Sequence, residues 1–190
     1  MNSSNFRFLA VLLVVGLVFS GCQQATSGTS SSSSASTSSQ VQGTINGKDF
    51  TAGTAVATAD TAKTRNLKPI ARIVAFGGHA QDPLWFTTAP VQAAQTALAR
   101  AGWKVGDVDL WEVNEAFAVV PMAFMKELGI LHDKINVRGG AISLGHPIGA
   151  SGARIVVTLL AALKERGLKR GVAAICIGGG EGLAVCVEVI

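Results

Sequence analysis

Residues 108–129 read VDLWEVNEAFAVVPMAFMKELG, and this stretch decides the expected fold. Its first six residues are mostly apolar, which is typical of a buried strand. Asn114 follows as a natural N-cap, and Gly129 is a natural end for the helix it would begin. Between them, apolar residues recur at helical spacing: Phe117, Val120, Phe124 and Leu128. Pro121 lies inside this predicted helix and should kink it.

The alternation of strand and helix continues on both sides of this stretch. The further predicted elements are a strand at 72–76, a helix at 90–101, a glycine-rich loop at 139–149, a helix that buries Ile155, Leu159 and Leu163, and strands at 172–177 and 183–189. Such alternation implies a layered α/β domain with a mixed, mostly parallel five-stranded sheet and helices packed on it. The tight glycine connection at 178–180 implies an antiparallel final pair.

The N-terminus differs in character from the rest of the chain. An apolar run from Phe8 to Phe19 is followed by Ser20, Gly21 and Cys22, and this ending resembles the lipobox of bacterial lipoproteins, although Phe19 stands where Leu is usual. The run is shorter than the roughly 20 residues needed to cross a bilayer. We therefore expect residues 1–22 to be a lipoprotein-type signal peptide with Cys22 as the lipidation site.

Residues 23–66 are expected to be a flexible, largely disordered Ser/Thr-rich linker, because they offer little apolar area to bury. A short hairpin is favoured around Asn46-Gly47, a type I′ turn pair, whereas 54–64 carries little structural signal. The change of character near Asn66 indicates a junction between unrelated sequences, placed between Ala62 and Leu67 and created by a gene fusion or an assembly error. Residues 67–190 then form the single folded domain.

Composition excludes several functions. The net charge of +4 is spread along the 190 residues without a basic cluster, so no nucleic-acid partner is expected. The three cysteines, Cys22, Cys176 and Cys186, have no metal-ligand spacing, so neither a disulfide framework nor a bound metal is expected.

Three polar loops at the ends of predicted elements carry chemistry. They offer the amide of Asn114, the imidazole of His146, and the thiol of Cys176 followed by unhindered backbone N–H groups at 178–182. Each has a purely structural interpretation: a helix cap, a loop histidine bonded to backbone, and a small buried hydrophobe. The glycine run is no nucleotide loop, since a strand rather than a helix follows it.

The three motifs together resemble the C-terminal signatures of the thiolase (acetyl-CoA acetyltransferase) family. They are NEAF at 114–117, GGAISLGHPIGASGAR at 139–154 and CIGGGEG at 176–182. The resemblance covers 67–190 and includes the approach ARAGWKVGDVDLWEVNEAF at 99–117. It implies a thiolase-like domain that joins two acetyl-CoA molecules into acetoacetyl-CoA, or cleaves that product in reverse.

The resemblance also implies residue roles. His146 corresponds to the histidine that activates the family's nucleophilic cysteine, and Cys176 to the cysteine that removes a proton from the acetyl methyl group. Asn114 corresponds to the asparagine that holds a water in an oxyanion hole, and the N–H of Gly178 would donate to a second one. Cys186 is expected in the core, and His79 and His132 are expected to be structural or exposed.

The family's nucleophile lies on its N-terminal half, which has no counterpart in this sequence. The resemblance therefore implies that half as a partner, an exposed apolar face to receive it, and little activity without it. Coenzyme A thioesters are implied as substrates, no permanent cofactor is implied, and the complete family enzyme is expected to be a homo-oligomer.

The two parts of the sequence imply different compartments. Thiolase chemistry implies the cytoplasm, whereas a lipidated Cys22 would attach the chain to a membrane. One alternative is therefore a membrane-tethered lipoprotein whose α/β domain only binds, and another is a non-functional reading frame.

Overall fold

The computed structural model of this chain describes residues 58–190 and the backbone of two short strands, Val41–Ile45 (β1) and Lys48–Ala52 (β2). The chain divides into two units, with the boundary between Lys68 and Pro69. The predicted signal peptide, its Cys22 and the serine-rich start of the linker lie outside the described residues.

In the first unit, β1 pairs antiparallel with β2. A helix follows at Ala59–Thr64 (α1). Its N-cap is Thr58, whose Oγ1 accepts a hydrogen bond from the N–H of Thr61 at 3.1 Å, and Asp60 in the first turn favours the same helix end. The expectation of little structure at 54–64 is therefore wrong for these six residues, which form a short helix with Thr58 as its cap.

The second unit alternates strands and helices. In chain order they are Ala71–Ala80 (β3), Ala89–Ala101 (α2), Leu110–Val113 (β4), Val119–Leu128 (α3), Ala141–Leu144 (α4), Ile148–Glu165 (α5), Arg170–Ile177 (β5) and Glu181–Val189 (β6), with 3₁₀ turns at Pro83–Thr88, Val105–Asp107 and His132–Lys134. The α/β class and the predicted order of the strands and long helices are confirmed. The segment 139–149, predicted as a glycine-rich loop, instead contains α4 and the first residues of α5.

The sheet of the second unit has the order β3-β6-β5-β4. Only β4 and β5 run parallel, while β5 with β6 and β6 with β3 are antiparallel. The predicted sheet of five mostly parallel strands is thus corrected to four strands in this unit. Beside β4, where a fifth strand could pair, the structure has a single parallel bridge between Trp111 and Ile135. The pairing stops there because Asn136 has a φ of 46° and turns the chain away.

Helices cover both faces of this sheet. The alternation along β4 sends Trp111 and Val113 into a core shared with α2 and α3, and sends Leu110 into a second core with α5. The predicted buried side of α5 is confirmed, since Ile155, Leu159 and Leu163 are all buried there. Each such side chain contributes roughly 1.5–3 kcal/mol by leaving water.

Helix α2 approaches the sheet unusually closely. A Cβ added to Gly77 on β3 would lie 2.3 Å from the carbonyl oxygen of Ala93 and 2.5 Å from the nitrogen of Ala97. Contact at backbone distance therefore requires glycine on the strand and alanines on the facing side of the helix.

Helix α3 begins later than predicted. Its N-cap is Ala118, so Asn114 does not cap it, and Phe117 precedes the helix with 57% of its surface exposed. Pro121 is the third helical residue, where its missing N–H would have no helical acceptor, so no kink is required. Within the described residues, no helix is both long and apolar enough to cross a membrane.

Candidate active site

The site lies at the carboxyl ends of the parallel strands β4 and β5. Val113 lies opposite Ala174 in the register, and the N–H of Asn114 donates to the carbonyl of Ala174 at 2.9 Å, which extends the pairing by one residue. Cys176 is two residues further along β5. Asn114 and Cys176 therefore leave the sheet at the same edge, where open α/β sheets place ligands.

His146 stands in the connection between α4 and α5, immediately before Pro147, the N-cap residue of α5. Its side chain is at the surface. Nδ1 lies 2.6 Å from Oγ of Ser151, and Nε2 lies 3.4 Å from Nδ2 of Asn114. Two of the predicted site residues, Asn114 and His146, are thus in contact although 32 positions separate them.

The hydrogen bonds of Ser151 favour one tautomer of His146. The Ser151 hydroxyl donates to the carbonyl of Pro147 at 3.1 Å, so its oxygen accepts from Nδ1–H. Nε2 is then the nitrogen with the lone pair, and it accepts from the amide of Asn114. An imidazole in this state can take a proton at Nε2.

Glu115 holds the segment that leads to His146. Its Oε2 accepts from the N–H of Ile142 at 3.1 Å, and its Oε1 accepts from Nδ2 of Asn136, also at 3.1 Å. Asn136 in turn forms two hydrogen bonds with the backbone of Val113, at 2.7 and 2.8 Å. The second residue of the NEAF motif thus joins the end of β4 to the loop before the histidine, a role that the sequence did not reveal.

Cys176 belongs to the opposite side of the sheet edge. Its side chain is buried in the core shared with α2 and α3, beside Val172 and Ala174, and this burial raises the pKa of its thiol. No hydrogen bond joins Cys176 to His146 or Asn114 in residues 58–190. The structure therefore brings Cys176 to the same edge as these two residues without direct contact.

Gly178 lies in the exposed turn that follows Cys176, where the N–H of Gly180 donates to the carbonyl of Ile177 at 3.1 Å. A Cβ placed on Gly178 would meet nothing within 4 Å, so the backbone is open to a ligand there. Cys186 is fully buried, as expected, and burial raises the pKa of its thiol to about 12.

Three polar residues next to the predicted set were missed: Ser151, Glu112 and Arg154. Glu112 is only 1% exposed and faces α5, where Nη1 of Arg154 lies 2.9 Å from its Oε1. Burial raises the pKa of Glu112 to about 7, against the opposing charge of Arg154. A carboxylate inside the apolar strand LWEV is the signal that could have revealed this pair, since an isolated buried charge is costly.

The two other histidines take no part in the site. Nε2 of His79 lies 3.1 Å from Oε1 of Gln81, and His132 lies in an exposed 3₁₀ turn.

Comparison with known proteins identifies the family. Residues 67–189 match the family model described as "Thiolase, C-terminal domain". The sequence is 54% identical over 127 residues to the cytosolic acetyl-CoA acetyltransferase of Mus musculus, covering 67% of this chain and 32% of that protein. It is 48% identical over 140 residues to the acetyl-CoA acetyltransferase of Paracoccus denitrificans, covering 74% and 36%.

The fold has solved counterparts as well. The crystal structure of Acat5 thiolase from Ascaris suum in complex with coenzyme A superposes with a TM-score of 0.66 at 45% identity, over 70% of this chain and 35% of that one. The chain belongs to the thiolase family. It spans about a third of the length of the curated relatives it matches. A match of 140 residues cannot fit within 67–190, so this similarity extends upstream of Leu67, the residue that closes the predicted junction.

Proposed function

We propose that this chain supplies the C-terminal half of a thiolase-type acyltransferase active site. The reaction is the Claisen condensation of two acetyl-CoA molecules to acetoacetyl-CoA and coenzyme A, or the reverse thiolysis. Both directions need a base, a nucleophile and donors aimed at a carbonyl oxygen. Coenzyme A thioesters are the proposed substrates, in line with the coenzyme A complex formed by the Ascaris suum relative.

In this proposal each site residue has one task. Nε2 of His146 takes the proton of a cysteine thiol on the N-terminal half, and the resulting thiolate attacks the acetyl carbonyl. The expelled coenzyme A thiolate takes the proton of the Cys176 thiol and leaves Cys176 as a thiolate. This thiolate removes a methyl proton from the second acetyl-CoA, the carbanion displaces the enzyme thiolate from the acetyl group, and His146 returns its proton to that enzyme thiolate. Asn114, through a water, and the N–H of Gly178 stabilise the oxyanions.

The observation that carries the proposal is the hydrogen-bonded arrangement of Ser151, His146 and Asn114. It presents an imidazole with its lone pair on Nε2 beside an amide donor, which is what a base next to an oxyanion site requires. The thiol of Cys176 has its pKa raised by burial, so it can hold the proton that the leaving coenzyme A thiolate takes.

The surface around His146 fits a partner. Ile142, Leu144 and Ile148 flank the histidine and are each more than 60% exposed, which is unusual for large apolar side chains. We propose that a thiolase N-terminal half covers them, that the assembled enzyme is a homo-oligomer, and that this chain alone has little or no activity.

The proposal is tested by complementation. The full chain is expressed with the N-terminal two-thirds of the Paracoccus denitrificans relative, and the purified complex is assayed for acetoacetyl-CoA thiolysis. His146→Ala and Cys176→Ala should each lower kcat at least about 100-fold.

The matched controls are His132→Ala, an exposed histidine outside the site, and Cys186→Ala, a buried cysteine outside it. Both should keep kcat within about threefold in the folded complex. Activity that survives the site substitutions, or a stable complex without any thiolysis, would show the proposed function to be wrong.

The residues around Cys22 favour a second candidate, a membrane-tethered lipoprotein with a non-catalytic α/β domain. In that case the chain is attached to a membrane through lipidated Cys22, whereas the thiolase proposal places it in the cytoplasm with coenzyme A. Labelling cells with a clickable fatty acid distinguishes the two: the lipoprotein carries label that Cys22→Ala abolishes, and an unlabelled chain rules it out.

A further inference from the structure

The strand β4 places a carboxylate in the core next to the site. Glu112 lies between Leu110 and Asn114 in the alternation of β4, so all three face α5. A buried carboxylate is tolerated only with a good partner. Arg154 on α5 provides it, with Nη1 at 2.9 Å from Oε1 of Glu112.

Arg154 has a second contact, with Asn114. Its Nη2 donates to Oδ1 of Asn114 at 3.3 Å, while Nη1 stays on Glu112. A guanidinium has donors only, so it can face the oxygen of the amide but not its nitrogen. Asn114 is completely buried, so the orientation of its amide is set by its hydrogen-bond partners.

Once Oδ1 points to Arg154, Nδ2 must point the other way, and there it meets Nε2 of His146 at 3.4 Å. The opposite rotation would place N–H groups against the guanidinium and the amide oxygen against the imidazole. The contacts therefore form one directed series from Glu112 through Arg154 and Asn114 to His146.

We propose that Arg154, anchored by Glu112, is a positioning residue that sets the amide orientation of Asn114 and thereby keeps the lone pair of His146 on Nε2. The inference deepens the proposed function, because it assigns the base its correct tautomer. Its test measures the tautomer of His146 rather than thiolysis. The tautomer proposal can therefore fail while the proposed function stands, and the proposed function can fail while the tautomer proposal stands.

The experiment uses the ¹⁵N-labelled full chain and two-bond ¹H–¹⁵N correlation spectra at alkaline pH, with His146→Ala to assign the signals. The wild-type chain should show His146 protonated at Nδ1. In Arg154→Met, the ratio of tautomers should move by about fivefold toward protonated Nε2, the size expected from losing one neutral hydrogen bond.

A second variant distinguishes a tautomer effect from misfolding of Arg154→Met. Glu112→Leu with Arg154→Met replaces the buried pair by apolar side chains, which proteins often accept without loss of fold. It should show the same tautomer shift, whereas Glu112→Gln, which keeps an acceptor for Arg154, should retain the wild-type ratio.

Arg72→Met is the matched control, because Arg72 also forms an ion pair, with Glu188, but does so on strands β3 and β6. It should leave the His146 spectrum unchanged. A wild-type tautomer ratio in the folded double variant would overturn the proposal and leave Arg154 as a structural partner of Glu112 only.

Discussion

The histidine side of the site and its cysteine side meet at one sheet edge but are built differently. His146 is exposed and connected by hydrogen bonds to Ser151 and Asn114. Cys176 is buried among apolar side chains, and within residues 58–190 no hydrogen bond joins it to His146 or Asn114. Hydrogen bonds orient an exposed group, whereas burial only changes the free energy of its charge. His146 is therefore positioned by hydrogen bonds, whereas desolvation controls the charge state of Cys176.

Thiol alkylation tests how strongly burial suppresses the reactivity of the cysteines, and it has the largest expected effect. Burial that raises the pKa of Cys186 to about 12, from 9.0, lowers its thiolate fraction about a thousandfold, and burial also blocks the reagent. Cys186 should react with iodoacetamide at least about 1,000-fold more slowly in the native chain than in urea, as measured peptide by peptide by mass spectrometry.

Cys176 gives the internal comparison, because it is also buried but lies at the open edge of the sheet. It should react before Cys186 in the native chain. Native labelling of both cysteines at the unfolded rate would show that neither thiol is shielded.

On the histidine side of the site, the next largest expected effect is the pH dependence of stability caused by Glu112. Its pKa rises from 4.5 to about 7 in the folded chain, so the folded state binds the proton more tightly than the unfolded state. The stability contributed by the protonated form is therefore complete below pH 4.5 and is lost as pH rises through about 7. The loss should approach about 3 kcal/mol.

Glu112→Gln removes this titration. Urea unfolding between pH 4.5 and 8 should show the wild-type free energy of unfolding falling relative to that of the variant. If the free energies of unfolding of the two proteins change in parallel with pH, Arg154 keeps Glu112 ionised over the whole pH range. The contact between Glu112 and Arg154 would then be an ion pair at every pH tested.

A smaller effect is expected where Glu115 anchors the histidine loop. A Cβ on Gly140 would lie 2.3 Å from the carboxyl carbon of Glu115, so Gly140→Ala should displace that carboxylate and cost about 2 kcal/mol. Gly149→Ala is the control, since its Cβ would meet nothing within 4 Å. Chemical denaturation measures both, and equal stabilities would show that Glu115 moves aside freely.

The smallest effect is expected from Ser151→Ala. It removes the partner of Nδ1 of His146 while the exposed ring can bind water instead, so the loss should be about 1 kcal/mol in thermal unfolding. Ser143→Ala, which removes a bond from the exposed Ser143 of α4 to the carbonyl of Gly140, should cost less than about 0.5 kcal/mol. Equal losses of stability in the two variants would indicate that the contact between Ser151 and His146 adds no measurable stability.

Sequence patterns were most reliable where one periodicity dominated. The repeats of Ile155, Leu159 and Leu163 in α5 and the glycine turn between β5 and β6 were predicted correctly. The start of α3 was not, because the side chain of Asn114 bonds to Arg154 and His146 instead of to the helix that follows. Local capping preference yielded to tertiary contacts.

By itself, the sequence determined the layered α/β domain, the thiolase motifs and the residue types that could act in them. Those follow from local periodicity and from residue identity, which need no knowledge of distant neighbours. The tertiary structure alone decided the sheet order, the contact between Asn114 and His146, and the link from Glu112 through Arg154. These depend on how α5 lies across β4, and a strand and a helix 42 positions apart meet only when the chain has folded.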